Sequence, residues 1–315
     1  MNNTLRRSLD YAALVLILGA LVILFSSLSE RFLTVATIGG IANRIPTLAV
    51  LATGMTLVLI IGGIDLSVGS VLALAGSFIG LLLVDWQWPL WSALLAAILV
   101  GLAAGGINGA VVVRFRVPSF IVTLGMLEMA RGGAYLVTDS QTKYLGGAIE
   151  GLASPIGPLL ISPAFILALT VVLAGHVLLT RTVFGRKMIA IGTNESATRL
   201  AGIDPRPIKL IVFSLAGALA GVAAICHISR LGASDPNAGG GMELAAIAAA
   251  VIGGTSLSGG RGSVLCTFLG VLIIATLEAG LAQVGASEPM KRLITGAVII
   301  LAVIADGLRK RTRTT

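Results

Sequence analysis

The chain has 315 residues, of which 56% are hydrophobic and only 11% charged, less than half of the roughly 25% usual in soluble domains. Its mean hydropathy of +1.01 excludes an ordinary soluble fold and predicts an all-α polytopic membrane protein. The net charge of +8 indicates Lys and Arg at the cytoplasmic ends of spans rather than a nucleic-acid partner.

About ten apolar segments follow one another along the chain. We predict spans at about 11–28, 35–61, 66–84, 89–112, 119–137, 163–180, 208–230, 242–256, 263–283 and 291–307. Most Lys and Arg residues fall at one end of these segments, which places both termini and the loop 181–207 in the cytoplasm. Spans and short connections use nearly the whole chain, so we expect any ATPase domain to be a separate polypeptide.

The first polar interruption is GGIDLSVGS (62–70), which contains Asp65 and Ser67 and lies between two long apolar runs. A carboxylate costs roughly 3 kcal/mol or more at the centre of a span and less near an interface. Two roles are open for Asp65: it caps the helix that follows, or it contacts a substrate or ion in passage. We include Asp65 and Ser67 in a candidate translocation path.

Small residues recur at helical spacing in two later spans. Gly101, Gly105 and Gly109 share one helical face, and Gly217 and Gly221 share another. Because packing replaces the hydrophobic drive in lipid, such faces let helices approach closely. We therefore expect these glycines to serve tight helix packing.

A few polar residues interrupt the spans and extend the candidate path. Glu128 and Arg131 are three residues apart and are expected to pair on one helical face, either as a structural pair or along the path. Asn108 and Glu243 are further candidates for the same path. The two cysteines form no C-x-x-C motif or Cys/His cluster, so we predict neither a disulfide framework nor a metal site.

The basic loop 181–207 is predicted to contain a short helix. Asn194 can cap this helix, Glu195 and Arg199 complement its dipole at either end, and Gly202 suits the position after it. An isolated helix of about two turns is unstable in water. It is therefore held either by its own spans or by docking into a cytoplasmic partner.

The second half of the chain repeats the first polar interruption. Ile61–Ser67 (IGGIDLS) is matched by Ile252–Ser258 (IGGTSLS), and the match continues after a two-residue insertion. Transporters are often built from such repeats, with broken helices at corresponding positions. Thr255 and Ser256 therefore join the candidate path. The span map implies a parallel relation between the copies, whereas an inverted relation requires one boundary to be redrawn.

We predict a single transmembrane domain over 1–315, divided at the cytoplasmic loop. An N-terminal repeat covers about 35–180 and a C-terminal repeat about 208–307, with the loop 181–207 between them.

The chain resembles the permease subunits of bacterial ABC importers for monosaccharides, most of all the ribose type. The resemblance is carried by GMTLVLIIGGIDLSVGSVLAL (54–74), GRKMIAIGTNESATRLAGI (185–203) and MELAAIAAAVIGGTSLSGGRGSVL (242–265), and it extends over about 31–307. The outer segment 138–162 looks shorter than in the ribose permease, which leaves the substrate open.

This resemblance implies a permease of the bacterial inner membrane that binds no cofactor itself. The expected partners are a cytoplasmic ATPase that carries ATP and magnesium, a periplasmic sugar-binding protein and a second permease copy in a homodimer. The short cytoplasmic helix would be the coupling helix that docks on the ATPase, through Asn194, Glu195, Ala197, Arg199, Leu200 and Gly202. Because sugars pass through importers by weak contacts, we expect no deep pocket with many charged groups.

Two other classes of protein remain open from the residues alone. An ion-coupled secondary transporter would use Asp65 or the Glu128–Arg131 pair to couple protons or sodium. An intramembrane enzyme would need a nucleophile with a base or a metal cluster, and the sequence contains no such arrangement.

Overall fold

The structure, a computed structural model, describes residues 3–157 and 161–311 and is almost entirely helical there. Its α-helices are α1 (Asn3–Leu28), α2 (Val35–Ile60), α3 (Val68–Gly80), α4 (Leu90–Phe115), α5 (Ser119–Thr138), α6 (Pro163–Arg181), α7 (Val183–Thr193), α8 (Glu195–Leu200), α9 (Pro205–Leu231), α10 (Met242–Ile252), α11 (Val264–Gln283) and α12 (Glu288–Arg311). A π-helical turn, Leu81–Asp85, continues α3. The expected all-α membrane fold is confirmed.

Among the described residues, eight helices are long and apolar enough to cross a membrane: α1, α2, α3 with its π-helical turn, α4, α5, α6, α9 and α11. The predicted number of ten spans is not confirmed. The segment predicted at 242–256 forms only the 11-residue helix α10. At a rise of about 1.5 Å per residue it is roughly 16 Å long, about half of the hydrocarbon core.

Helix α2 is the centre of the bundle. Its most apolar stretch is 83% buried inside the bundle. Helices α6, α9, α10 and α11 pack around it. Helices α1, α4, α5 and α6 are buried over less than a third of their apolar stretches and keep exposed apolar side chains, as expected for helices that face lipid.

The two ends of the bundle differ in structure. We call the end that carries α7 and α8 the inner end and the opposite end the outer end. At the outer end, strand β1 (Lys143–Tyr144) pairs antiparallel with strand β2 (Ala233–Ser234). An ion pair of 2.9 Å between Lys143 and Asp85 holds this ribbon against the end of α3.

The glycine faces predicted from the sequence pack against each other where α4 crosses α9. A Cβ on Gly101 would overlap the carbonyl oxygen of Gly217, and a Cβ on Gly221 would overlap the carbonyl oxygen of Ala97. The two backbones are therefore in direct contact, an approach that only glycine permits here. The expected role of these glycines in tight helix packing is confirmed.

Gly105→Ala should destabilise the protein by about 1–3 kcal/mol, because the new methyl group overlaps the carbonyl oxygen of Phe213. Gly106→Ala in the same helix is the matched control, since its Cβ would meet only the Ser214 hydroxyl at an ordinary 3.4 Å. Thermal unfolding in detergent measures both. Equal melting temperatures for the two variants would contradict the close α4–α9 contact.

Candidate functional site

The first helix break follows α2 and is closed by a Schellman motif. The amide of Gly62 donates to the carbonyl of Leu59 at 2.9 Å, and that of Gly63 donates to the carbonyl of Val58 at 3.0 Å. Gly62 has φ +77°, a left-handed conformation in which glycine avoids the strain of a side chain. The break thus satisfies the last carbonyls of α2 from within the chain.

The second break, after α10, repeats this geometry. Gly254 has φ +79° and donates to the carbonyl of Val251 at 2.8 Å, while Thr255 donates to the carbonyl of Ala250 at 2.9 Å. The structural counterpart of Gly62 is therefore Gly254, one residue beyond the position that the sequence match pairs with it. The internal match marks two equivalent helix ends, although its register is shifted by one.

Both breaks lie together at the inner end. The amide of Gly260, just after the second break, donates to the carbonyl of Ile60 at 2.9 Å. Gly192, near the end of α7, lies so close that a Cβ there would overlap the same carbonyl oxygen. Helices α2 and α10 therefore end on the same side of the bundle, as a parallel relation requires, and α7 rests directly against them.

Asp65, Ser67 and Asn108 form one buried hydrogen-bond network between the first break and α3. The Asp65 carboxylate accepts from the Ser67 amide at 2.9 Å and from the Ser67 hydroxyl at 2.6 Å. The Asn108 amide group donates to the same hydroxyl at 3.0 Å. All three are at most 1% exposed. Asp65 thus fixes Ser67, the residue before α3, and does not itself accept from the first turn of that helix.

The linker itself is held by α5. The backbone amide of Ile64 donates to the hydroxyl of Ser119 at 2.9 Å, and that of Leu66 donates to the hydroxyl of Thr123 at 3.0 Å. These two serine and threonine side chains replace the helix hydrogen bonds that the extended linker gives up. Sequence reasoning missed both, although each lies on the helix face that packs towards the linker.

The expected pairing of Glu128 with Arg131 is wrong. Arg131 donates instead to the backbone carbonyls of Pro236 at 2.6 Å and Ala238 at 2.8 Å, in the loop that precedes α10. Glu128 is exposed near the middle of α5. Loop carbonyls outcompete the neighbouring carboxylate because the loop folds back against α5, a contact that helical spacing cannot reveal.

The remaining path candidates lie on α10 and at the second break. The Glu243 carboxylate accepts from the Gly241 amide at 3.2 Å and lies against Gly69 of α3, where a Cβ would overlap it. The first turns of α3 and α10 therefore meet inside the bundle. Thr255 and Ser256 are buried at the inner end. The predicted path residues thus fall into several places, and this structure does not gather them around one opening.

The predicted cytoplasmic loop contains two helices, α7 and α8. The side chain of Asn194 caps α8 by accepting from the amide of Ala197 at 2.9 Å, as predicted. Gly202, at φ +80°, follows the helix in a left-handed conformation, also as predicted. Helix α9 follows soon after and begins at Pro205, with Asp204 as its cap.

Charged contacts fasten α8 to the bundle. The Glu195 carboxylate binds Arg199 at 2.6 Å within α8 and Lys209 of α9 at 2.5 Å. Partial burial alone would raise the pKa of Glu195, but hydrogen bonds and charges from Lys209 and Arg199 outweigh it and lower the pKa. Leu200, by contrast, is 91% exposed at the end of α8. The helix is rigidly mounted and presents an uncovered apolar side chain.

A basic cleft of about 380 Å³ lies between α8 and the first break. Its charged lining consists of Arg116, Arg199, Arg206, Lys209 and Glu195. Gly62 and Gly63 of the first break form part of its wall. The cleft connects the surface of α8 with the end of α2.

Three charged side chains that sequence reasoning left out of the site line an outer cavity of about 330 Å³. They are Arg44 of α2, Arg230 of α9 and Glu278 of α11, and each is exposed to solvent. Part of the signal was available, because Arg44 and Glu278 each interrupt an otherwise apolar span and Arg230 ends one. Only the tertiary structure brings the three together.

Comparison with known proteins identifies a family and several relatives. The family described as branched-chain amino acid transport system permease component matches residues 37–303. The ribose import permease protein of Escherichia coli K12 is 39% identical over 297 residues, which cover 92% of this chain and 91% of the relative.

Two relatives with other sugar names are similar over the same range. The D-allose transport system permease protein of E. coli K12 is 37% identical, covering 93% of this chain and 90% of the relative. The L-arabinose ABC transporter permease protein of Azospirillum brasilense is 32% identical, covering 93% and 87%. No solved structure matches the chain at a comparable level.

Asp65→Ala should cost about 1–3 kcal/mol, because it leaves the Ser67 amide and hydroxyl without their buried acceptor. Asp85→Ala, which removes a half-exposed ion pair with Lys143, should cost less than about 1 kcal/mol. Chemical or thermal denaturation in detergent compares the two. A smaller effect at Asp65 than at Asp85 would show that the network does not stabilise the break.

Proposed function

Since the chain belongs to the family of branched-chain amino acid transport system permease components, we propose that it is the membrane subunit of an ATP-driven importer for a monosaccharide. Relatives named for ribose, D-allose and L-arabinose support a sugar rather than an amino acid as the substrate. Within this class we propose a ribose-like pentose. The energy comes from a separate cytoplasmic ATPase that binds ATP and magnesium, and a periplasmic binding protein delivers the sugar.

The observation that carries this proposal is the mounting of α8. Its apolar tip, Leu200, is uncovered, while the Asn194 side chain caps the helix and Glu195 pairs with Lys209 of α9. An uncovered apolar residue on a rigid surface helix is suited to a groove in a partner protein. Force applied there reaches α2 through the contact of Gly192 with Ile60.

The orientation follows from charge and aromatic residues at the two ends. The inner end carries the basic cleft beside α8, whereas exposed Trp86, Trp88 and Trp91 lie at the outer end. Cytoplasmic loops are enriched in Lys and Arg, and Trp prefers membrane interfaces. We therefore place α8, and with it both termini, on the cytoplasmic side of a bacterial inner membrane.

A second copy of the chain completes the path in this proposal. The exposed stripe of α5 contains Glu128 near the middle of the span and glycines 125 and 132, which have open space around them. A carboxylate facing hydrocarbon would cost roughly 3 kcal/mol, so this stripe faces protein or water. The exposed stripe of α6 contains Ile, Leu, Val, Ala and Thr instead, as suits lipid. We propose a homodimer in which two α5 stripes border the translocation path.

The rival proposal of an ion-coupled transporter has less support. Its coupling groups were Asp65 and the Glu128–Arg131 pair. Asp65 is buried and accepts two hydrogen bonds from Ser67, so it is not placed to exchange a proton or sodium ion with water. The Glu128–Arg131 pair is not formed, because Arg131 binds loop carbonyls instead.

Leu200→Ala should reduce ATP-dependent sugar uptake by about tenfold or more, since it removes the apolar anchor from the docking surface. Val183→Ala, which also shortens an exposed apolar side chain at the inner end, is the control and should change uptake by less than about twofold. Uptake is measured in proteoliposomes with the complete importer and labelled D-ribose, D-allose and L-arabinose. Unchanged uptake in the Leu200 variant would refute the docking role.

Met129→Cys, on the exposed stripe of α5, should form a disulfide between two copies under mild oxidation in native membranes. Leu173→Cys, on the exposed stripe of α6, should remain monomeric because lipid covers that face. The two native cysteines are buried and serve as the background. Non-reducing electrophoresis gives the result, and a cross-link at α6 without one at α5 would contradict the proposed dimer.

A further inference from the structure

The outer cavity brings charges from three helices to one place within the bundle. Its lining includes Arg44 and Ile45 of α2, Arg230 of α9, Met242 and Ala245 of α10, and Glu278 of α11. None of the ion pairs in the described part of the chain involves Arg44, Arg230 or Glu278. Two guanidinium groups and one carboxylate can therefore form hydrogen bonds with a molecule that enters the cavity.

The position of these charges requires that the cavity hold polar material. Arg44 is the tenth residue of α2, roughly 14 Å from the outer end of that helix. Charges at such depth cost roughly 3 kcal/mol each in hydrocarbon unless water or a polar group solvates them. Arg230 and Glu278 lie near the outer ends of α9 and α11. The cavity is therefore a hydrated space in the outer half of the bundle.

The chemistry of the lining suits a polyhydroxylated solute. Guanidinium groups only donate hydrogen bonds and a carboxylate only accepts them, whereas each sugar hydroxyl does both. The planar fork of an arginine spans two neighbouring hydroxyls, and the partly exposed side chain of Met242 offers an apolar surface to the C–H face of a sugar ring. An anion would meet the arginines favourably but would be repelled by Glu278, so a neutral sugar fits better.

We propose that this outer cavity holds a monosaccharide in transit, with Arg44 and Arg230 as hydrogen-bond donors and Glu278 as the acceptor. The volume of about 330 Å³ accommodates a single sugar with water around it. This inference rests on the proposed function, because it assigns to the sugar importer a holding site within each protomer, separate from the α5 stripe between copies.

The test measures protection of a cysteine inside the cavity. Ala245→Cys is introduced into the complete importer in nanodiscs and modified with a cationic methanethiosulfonate reagent added to the outer side. We expect modification, and we expect about 100 mM of D-ribose, D-allose or L-arabinose to slow it at least about threefold, as a site with a Kd of about 50 mM or lower would. Glycine betaine at the same concentration, which has no hydroxyl groups, should leave the rate unchanged.

Variants of the charged residues show whether protection comes from the proposed contacts. Glu278→Gln and Arg44→Gln should each abolish protection by the sugar, whereas Arg44→Lys should retain part of it. Arg31→Gln removes an exposed arginine at the outer end outside the cavity and should retain full protection. Full protection in the Glu278 and Arg44 variants, or a cysteine that no reagent reaches, would overturn the proposal.

The outcomes separate this inference from the proposed function. If the wild-type importer takes up a sugar with ATP but no sugar protects Cys at position 245, the holding site is wrong and the importer proposal stands. If the wild-type complex takes up none of the three sugars with ATP, the importer proposal fails. Stronger protection by gluconate than by the neutral sugars would show an anion site and would also overturn the inference.

Discussion

A helix that stops inside a membrane protein releases backbone groups for which hydrocarbon offers no partner. The structure meets this constraint twice in the same way, with Schellman motifs at Gly62 and Gly254. It then supports the extended linker after the first break with the hydroxyls of Ser119 and Thr123. Because both hydroxyls belong to α5, the first break also holds α2, α3 and α5 together at one place.

The contacts at the inner end connect α7 and α8 with the interior of the bundle. Gly192 of α7 touches the last carbonyl of α2, and Gly260 donates to the same group. Helix α8 is attached to α9 through Glu195 and Lys209, and α9 contacts α4 backbone to backbone along the glycine faces. Contacts thus run from α7 and α8 into the bundle on two routes, one to the central helix α2 and one to the α4–α9 pair.

Charged residues within the spans serve different purposes according to what surrounds them. Asp65 is buried and satisfied by Ser67, and Arg131 ties the loop before α10 to α5, so both stabilise the fold. Glu128, by contrast, lies on an uncovered stripe, and Arg44, Arg230 and Glu278 face a cavity. Because a charge in hydrocarbon is costly, these four side chains indicate that protein, water or solute lies beside them.

The sequence by itself determined the membrane class, the glycine contact faces, the two breaks and the cap and end of α8, because each follows from local periodicity or from the backbone preferences of glycine and asparagine. Only the tertiary structure decided that α10 covers half a bilayer, that Gly254 rather than Gly253 matches Gly62, and that Arg131 binds Pro236 and Ala238 instead of Glu128. It alone brought Arg44, Arg230 and Glu278 to one cavity. These features depend on contacts between residues far apart in the chain, and spacing along one helix carries no information about which distant group will arrive beside it.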